Sequence, residues 1–121
     1  MKHRVLVIDD ERDLCSLILR ILSEADYETD CAHTLAEGIK KWEDWQPAIV
    51  LLDNNLPDGT GLELLELNAH LLKKSLTILI TADTQETTKD KATALGIPVF
   101  INKPFSMLEI RKVVESFQER A

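Results

Sequence analysis

Five short runs of apolar and β-branched residues alternate along the chain with segments in which apolar residues recur at helical spacing. This alternation is typical of an α/β fold, in which a parallel sheet carries helices on both faces. The first, third and fourth runs are continuously apolar, as expected of strands that are buried on both sides. The runs predict strands at residues 4–8, 28–32, 48–52, 76–81 and 99–101.

Helical spacing predicts a helix after each strand. Two of these helices begin with a capping box, Thr34 with Glu37 and Ser106 with Glu109. The fourth helix, over residues 85–95, has few large apolar residues, which predicts a weakly anchored, mobile element. The apolar stripes of the other helices are Leu14, Ile18, Ile21 and Leu22; Leu35, Ile39 and Trp42; Leu62, Leu65 and Leu72; and Ile110, Val113, Val114 and Phe117.

Length and charge limit what such a chain does. Its 121 residues, 45% of them hydrophobic, suit a single globular domain over residues 1–121. The net charge of -7 would repel a phosphate backbone, which predicts no direct nucleic-acid binding. No apolar run approaches the roughly 20 residues that cross a bilayer, and the apolar stretch behind Met1 ends at the acidic pair Asp9-Asp10, unlike a signal peptide. We therefore expect a cytoplasmic protein without membrane contact.

The sulfur and imidazole side chains show no metal-binding pattern. Cys15 and Cys31 lie in otherwise apolar contexts without a CxxC spacing or a histidine partner, which predicts buried free thiols more than a disulfide or zinc site. His3, His33 and His70 share no strand end in the predicted fold. They are interpreted as exposed or half-buried side chains without a ligand role.

Polar side chains follow four of the predicted strands at the point where each strand ends. Asp9 and Asp10 follow the first strand, Asp53 the third and Lys103 the fifth, and Thr81 ends the fourth. A single such residue is commonplace, often a helix cap. Because the carboxyl ends of parallel strands meet at one edge of a sheet, five together indicate a functional site.

Three carboxylates at one edge repel each other, by about 4 kcal/mol for two charges about 4 Å apart at an effective dielectric of about 20. A hard divalent cation offsets this repulsion, and a site with few protein oxygens suits Mg²⁺ better than Ca²⁺. Lys103 and Thr81 are suitable partners for phosphate. Asp53, which two asparagines follow, is the candidate nucleophile for phosphoryl transfer, and Asp9 and Asp10 are candidate metal ligands.

Four motifs in this pattern resemble the response-regulator receiver domains of the CheY-like superfamily, over essentially the whole chain. They are VIDDE at residues 7–11, LLDNNLPDGTG at 51–61, ITA at 80–82 and FINKPF at 100–105. The resemblance implies a flavodoxin-like (βα)5 fold with a doubly wound, parallel five-stranded sheet in the order 2-1-3-4-5. It also implies a two-component phosphorelay.

The resemblance assigns roles to individual residues. It implies Asp53 as phosphoacceptor, and a Mg²⁺ site formed by Asp53, Asp10 directly, Asp9 largely through water, and the Asn55 carbonyl. Thr81 and Lys103 would contact phosphate. The remaining implied features are Phe100 as the aromatic that rearranges on activation, a cis Lys103–Pro104 peptide bond, and Asn55 and Asp83 along the path of attacking water.

The resulting hypothesis is a signalling phosphoacceptor that assists its own phosphorylation and dephosphorylation. A sensor histidine kinase or phosphotransfer protein would donate the phosphoryl group, and the surface of helix 4, strand 5 and helix 5 would switch an output domain or partner protein. One alternative is a receiver that docks partners without phosphorylation. A phosphatase or flavin enzyme is disfavoured, because Asn55 stands where an acid is needed and no aromatic pair could stack a flavin. The chain fits either a stand-alone receiver or part of a longer regulator.

Overall fold

The sheet has the predicted topology. The computed structural model describes residues 3–82 and 85–120, with side chains as far as Ser116. The strands of its main sheet are β1 (Arg4–Ile8), β2 (Glu28–Ala32), β3 (Ile49–Asp53), β4 (Leu76–Thr81) and β5 (Val99–Asn102). They form one parallel five-stranded sheet with the order β2-β1-β3-β4-β5. This confirms the predicted fold class and strand order, with shifts of one residue at the ends of β3 and β5.

A helix follows each strand, as predicted. The third helix ends early, near Asn68, whose side-chain amide donates to the Leu64 carbonyl at 2.9 Å. A 3-10 helix, Ala69–Lys73, continues the chain and contains Leu72, so the placement of Leu72 in the third helix was wrong. The helices are α1 (Arg12–Glu24), α2 (Leu35–Trp45), α3 (Gly61–Leu67), α4 (Glu86–Ala94) and α5 (Met107–Arg120).

Side-chain caps fix the starts of three helices. The Thr34 hydroxyl accepts the backbone N–H of Glu37 at 3.2 Å, and the Ser106 hydroxyl accepts that of Glu109 at 3.1 Å. The Thr60 hydroxyl does the same for α3. Each of these bonds satisfies one of the free N–H groups of the first helical turn. The hydroxyl half of each predicted capping box is therefore present.

The loop after β3 also caps a helix that lies far from it in sequence. Asn55–Leu56 and Gly59–Thr60 pair as a short antiparallel hairpin. At its turn, Asp58 accepts the backbone N–H groups of Leu35 at 2.9 Å and of Ala36 at 3.1 Å. The hairpin therefore joins the end of β3 to the start of α2.

Each face of the sheet carries its own apolar core. One core lies under α1 and α5, and the other lies under α2, α3 and α4, where the fully buried Trp42 donates its indole N–H to the Ser75 hydroxyl at 2.8 Å. Helix α4 contributes one buried residue, Ala92, as its composition predicted. Its mobility stays a prediction, and the inward orientation expected for Phe117 falls outside the described side chains. No helix in the described ranges has the length and apolar character needed to span a membrane.

Candidate functional site

Three aspartates meet at the carboxyl edge of the sheet. Asp53 is the last residue of β3, and Asp9 follows β1, where its backbone N–H donates to the Ala32 carbonyl at 2.9 Å. One carboxylate oxygen from each of Asp9, Asp10 and Asp53 lies within 4.8 Å of the other two. Asp9 and Asp53 are buried and Asp10 is exposed, so the cluster opens to solvent on one side.

The backbone orients the two buried carboxylates. Asp9 Oδ1 accepts the N–H of Glu11 at 2.9 Å, and Asp53 Oδ1 accepts the N–H of Asn55 at 3.2 Å. Such bonds to the residue two positions later are typical of aspartate in tight turns. Each aspartate therefore keeps its Oδ2 for other partners.

Lys103 supplies the positive charge of the site. Its Nζ lies 3.1 Å from Asp53 Oδ2, 3.6 Å from Asp9 Oδ2 and 3.6 Å from Glu11 Oε1. Its backbone N–H donates to the Thr81 carbonyl at 3.0 Å, and the following peptide bond to Pro104 is cis. Burial lowers the pKa of Lys103, but its hydrogen bond with Asp53 and the nearby carboxylates outweigh burial and raise that pKa. The ammonium is therefore held in its charged form.

The charges of the cluster do not balance, because one ammonium faces three aspartates. Burial, and then the charge of Asp53, raise the pKa of Asp9, although its bond from Glu11 acts in the opposite direction. Among the described residues, no donor forms a hydrogen bond with the buried Asp9 Oδ2. A buried carboxylate oxygen that accepts no hydrogen bond is unfavourable, even with the Lys103 ammonium 3.6 Å away. A hard cation with oxygen ligands would satisfy it, so the residues present fit Mg²⁺.

The other predicted site residues within the described ranges lie in β4, in the hairpin after β3 and in β5. Thr81 is buried at the end of β4, one residue beyond Ile80, which pairs with Asp53 in the sheet. Asn55 is exposed in the hairpin that follows Asp53. Phe100 is half-buried and packs against the core below α4, outside the carboxylate cluster. Asp83 lies outside the described residues.

Sequence reasoning missed the role of Asn54. This buried side chain accepts the Leu62 N–H through Oδ1 at 3.2 Å, and its backbone carbonyl accepts the Gly61 N–H at 2.9 Å. Asn54 therefore fastens the start of α3 directly behind Asp53. The feature of the sequence that could have identified Asn54 is its position directly after the candidate nucleophile, Asp53.

The interpretation of His33 as unrelated to the cysteines was wrong. Both thiols are free and buried, as predicted. However, His33 Nδ1 lies 3.9 Å from the Sγ of Cys15, 3.9 Å from that of Cys31, and 2.9 Å from the Asp9 carbonyl oxygen. His33 directly follows β2, which pairs with β1, so the strand-end rule that found the aspartates also applied to it.

The two thiols affect each other. A hydrogen bond to Cys31, and then burial, raise the pKa of the Cys15 thiol. The same hydrogen bond lowers the pKa of the Cys31 thiol, against the effect of burial.

Comparison with known proteins places this geometry among signalling domains. The family described as response regulator receiver domain matches residues 5–115. The alkaline phosphatase synthesis transcriptional regulatory protein PhoP of Bacillus subtilis is 28% identical over 121 residues, which are 100% of this chain and 50% of that protein. The transcriptional regulatory protein TrcR of Mycobacterium tuberculosis is 33% identical over 109 residues, 88% of this chain and 42% of that protein. The chain thus spans about half the length of the curated relatives it matches.

Solved structures share the fold. A CheY-like receiver domain protein from Methanospirillum hungatei superposes with a TM-score of 0.87 at 28% identity, covering 99% of this chain and 94% of that one. The non-phosphorylated HemR receiver domain of Leptospira biflexa gives 0.87 at 28% identity, with 95% and 93% covered. A two-component response regulator from Clostridium difficile gives 0.91 at 21% identity, with 98% of each chain covered, and supports the fold alone.

Proposed function

Because the chain belongs to the response regulator receiver domain family, we propose that Asp53 accepts a phosphoryl group from the phosphohistidine of a sensor histidine kinase or phosphotransfer protein. One observation carries the proposal. Asp53 Oδ2 lies 3.1 Å from the Lys103 ammonium, and the carboxylates of Asp9 and Asp10 lie within 4.8 Å of the Asp53 carboxylate. This set provides a nucleophile, a cation for the transferred group and ligands for a metal ion.

The residues divide the chemistry among them. A carboxylate oxygen of Asp53 forms the bond to phosphorus while the bond between phosphorus and the donor imidazole breaks, which leaves an acyl phosphate and a free histidine. Lys103 and the Thr81 hydroxyl would contact the phosphoryl oxygens. Asp9, Asp10, Asp53 and the Asn55 carbonyl would hold Mg²⁺, which when bound neutralises charge on those oxygens. Water would later hydrolyse the acyl phosphate along a path that Asn55 would line.

The output would be a change of partner surface. Phosphate on Asp53 adds negative charge and acceptor oxygens near Thr81, and the surface of α4, β5 and α5 would switch an output domain or partner protein. PhoP and TrcR are described as transcriptional regulatory proteins. A net charge of -7 makes direct nucleic-acid binding by this chain unfavourable, so any such binding would reside in another part of the regulator. We place this activity in the cytoplasm.

Phosphorylation with a small donor tests the proposal. Wild-type protein incubated with acetyl phosphate and Mg²⁺ should gain the mass of one phosphoryl group, and hydroxylamine should remove it. Asp53→Asn should gain none and keep its fold, because an amide oxygen can still accept the Asn55 N–H. Asp13→Asn is the matched control, since Asp13 is an exposed aspartate of α1 outside the cluster, and it should behave as wild type.

Two outcomes would count against this assignment. Full phosphate uptake by Asp53→Asn would exclude Asp53 as the acceptor. A wild-type protein that takes up no phosphate with Mg²⁺ present, yet still binds a partner, would support the phosphorylation-independent docking receiver in its place.

A further inference from the structure

A second cluster of side chains that could bind a metal ion lies beside the Asp9 carbonyl. It contains Cys15 from α1, Cys31 from β2 and His33, which directly follows β2. One ligand atom from each lies within 4.8 Å of the other two. Both cysteines are buried, at 1% and 9% exposure, and His33 is half-buried and leads toward the surface. The receiver chemistry proposed above uses none of these three side chains.

The dimensions of the triangle suit a metal ion at its centre. Each Sγ lies 3.9 Å from His33 Nδ1. With metal–sulfur bonds of about 2.3 Å and metal–nitrogen bonds of about 2.0 Å, a planar three-coordinate centre has sulfur–nitrogen edges of about 3.7 Å. The two measured edges are therefore within a few tenths of an ångström of a bound geometry, so side-chain adjustments suffice.

The ligand types select the metal. Two thiols and an imidazole are soft ligands, which favour Cu(I) and Zn²⁺ over Mg²⁺ or Ca²⁺. Structural zinc almost always takes four ligands, whereas within the described part of the chain three ligands, two thiols and one imidazole, come together here. We propose that Cys15, Cys31 and His33 form a three-coordinate binding site for one Cu(I) ion.

One cation lies beside the site. Two thiolates and one Cu(I) leave a single negative charge. Lys41 lies next to Cys31, where its ammonium donates to the Cys31 carbonyl and pairs with Asp30 Oδ1 at 3.2 Å and with Glu37 Oε1 at 3.3 Å. Because two carboxylates already pair with this ammonium, it would offset only a small part of the charge of the loaded site.

Metal binding would change the hydrogen bonds of Asp9. Without metal, His33 Nδ1–H donates to the Asp9 carbonyl at 2.9 Å and the Cys15 thiol donates to it at 3.3 Å. On binding, both thiols release their protons to solvent, and the imidazole proton moves from Nδ1 to Nε2. One Cu(I) therefore displaces two protons, with no change of oxidation state, and the Asp9 carbonyl loses both donors.

Anaerobic titration of the full chain tests the site. Reduced protein with two titratable thiols would compete for Cu(I) against a chromophoric Cu(I) chelator. One ion per chain is expected, with two sulfurs and one nitrogen in X-ray absorption spectra and with shifted amide signals of Asp9 and Cys15. Cys15→Ser and Cys31→Ser should each weaken binding more than about 100-fold, since loss of an outer-shell partner alone costs about 10- to 100-fold. Binding of Zn²⁺, measured in a parallel competition against a zinc chelator, should be weaker.

His33→Asn and His70→Asn form a matched pair, because His70 is exposed and lies far along the chain, beside Glu43. Only His33→Asn should lose affinity. Equal affinity of wild type and the Cys15→Ser/Cys31→Ser double variant would overturn the proposal, as would preference for Zn²⁺ over Cu(I) or uptake that leaves the Asp9 and Cys15 amides unmoved. The absorption spectrum of the wild type decides the ligand set even if a serine variant fails to fold.

Discussion

Asp9 and Asp53 hold their carboxylates in the same way, with Oδ1 accepting the backbone N–H of the residue two positions later and Oδ2 facing Lys103. The turn after each strand therefore positions both side chains before any cation binds. In this arrangement the Lys103 ammonium lies 3.6 Å from Asp9 Oδ2 and 3.1 Å from Asp53 Oδ2, so it pairs with both buried carboxylates. Lys103 consequently stabilises the metal-free site and also competes with a metal ion for Asp53.

Replacing Lys103 with Gln should strengthen Mg²⁺ binding. Removal of a positive charge a few ångströms from the metal position should favour the ion by about 1 kcal/mol, roughly fivefold in affinity. Calorimetric titration with Mg²⁺ would measure the change. Lys112→Gln removes an exposed charge of α5 and should have no comparable effect. Weaker binding by Lys103→Gln would show that Lys103 organises the carboxylates more than it opposes the metal.

Asp9→Asn should stabilise the metal-free protein at neutral pH. The pKa of Asp9 is raised in the folded state, so the protonated Asp9 side chain favours folding. This stabilisation is complete below the unfolded pKa of 3.8 and is lost as the pH rises through the folded pKa. The amide can still accept the Glu11 N–H and carries no charge. We expect a gain of about 1 kcal/mol near neutral pH that disappears on acidification.

Denaturant unfolding across the acidic range, with a chelator present, would measure this difference. Mg²⁺ should then stabilise the wild type more than Asp9→Asn, because the variant has lost a charged ligand. A variant that is less stable than wild type at neutral pH without metal would show that Lys103 compensates the charge of Asp9 more than burial and Asp53 oppose it.

Asp58→Ala should destabilise the fold by about 1 kcal/mol, the usual effect of losing a helix cap. Its two bonds to the start of α2 lower the pKa of Asp58, the bond from Leu35 contributing most. Because the pKa of Asp58 is lower in the folded state, its charged carboxylate stabilises the fold at pH above the unfolded pKa. This stabilisation is lost as the pH falls through the folded pKa. The difference between wild type and variant should therefore shrink in acid. Asp44→Ala, at an exposed position near the other end of α2, should not reproduce this pH dependence.

A phosphoryl mimic should act mainly on residues 81–105, which include the weakly anchored helix α4. Beryllofluoride with Mg²⁺ would draw the Thr81 hydroxyl toward Asp53 and let Phe100 turn inward, and α4 has little buried surface to resist the shift. We expect larger changes in the amide NMR signals of residues 81–105 than in those of residues 34–45. The reverse pattern would contradict this route of signal output.

The features that the sequence predicted are those that depend on local pattern. Continuous apolar runs located the strands, and the rule that parallel strands end at one edge brought Asp9, Asp53 and Lys103 together. The cap that Asp58 forms on α2 joins positions 23 residues apart, and no periodicity encodes such a contact. His33 lies only two residues after Cys31, but its contacts with Cys15 and with the Asp9 carbonyl join positions 18 and 24 residues apart, which no local pattern encodes.

Helix α4 buries one of its nine residues, Ala92. Substitutions at exposed positions away from special interactions usually change stability by less than about 0.5 kcal/mol. Most of this helix can therefore diverge in sequence at little cost to folding, while the strands that carry Asp53 and Thr81 cannot. Under the proposed function, a receiver built in this way would acquire a new partner by changes in α4 and keep the phosphoacceptor site at Asp53 intact.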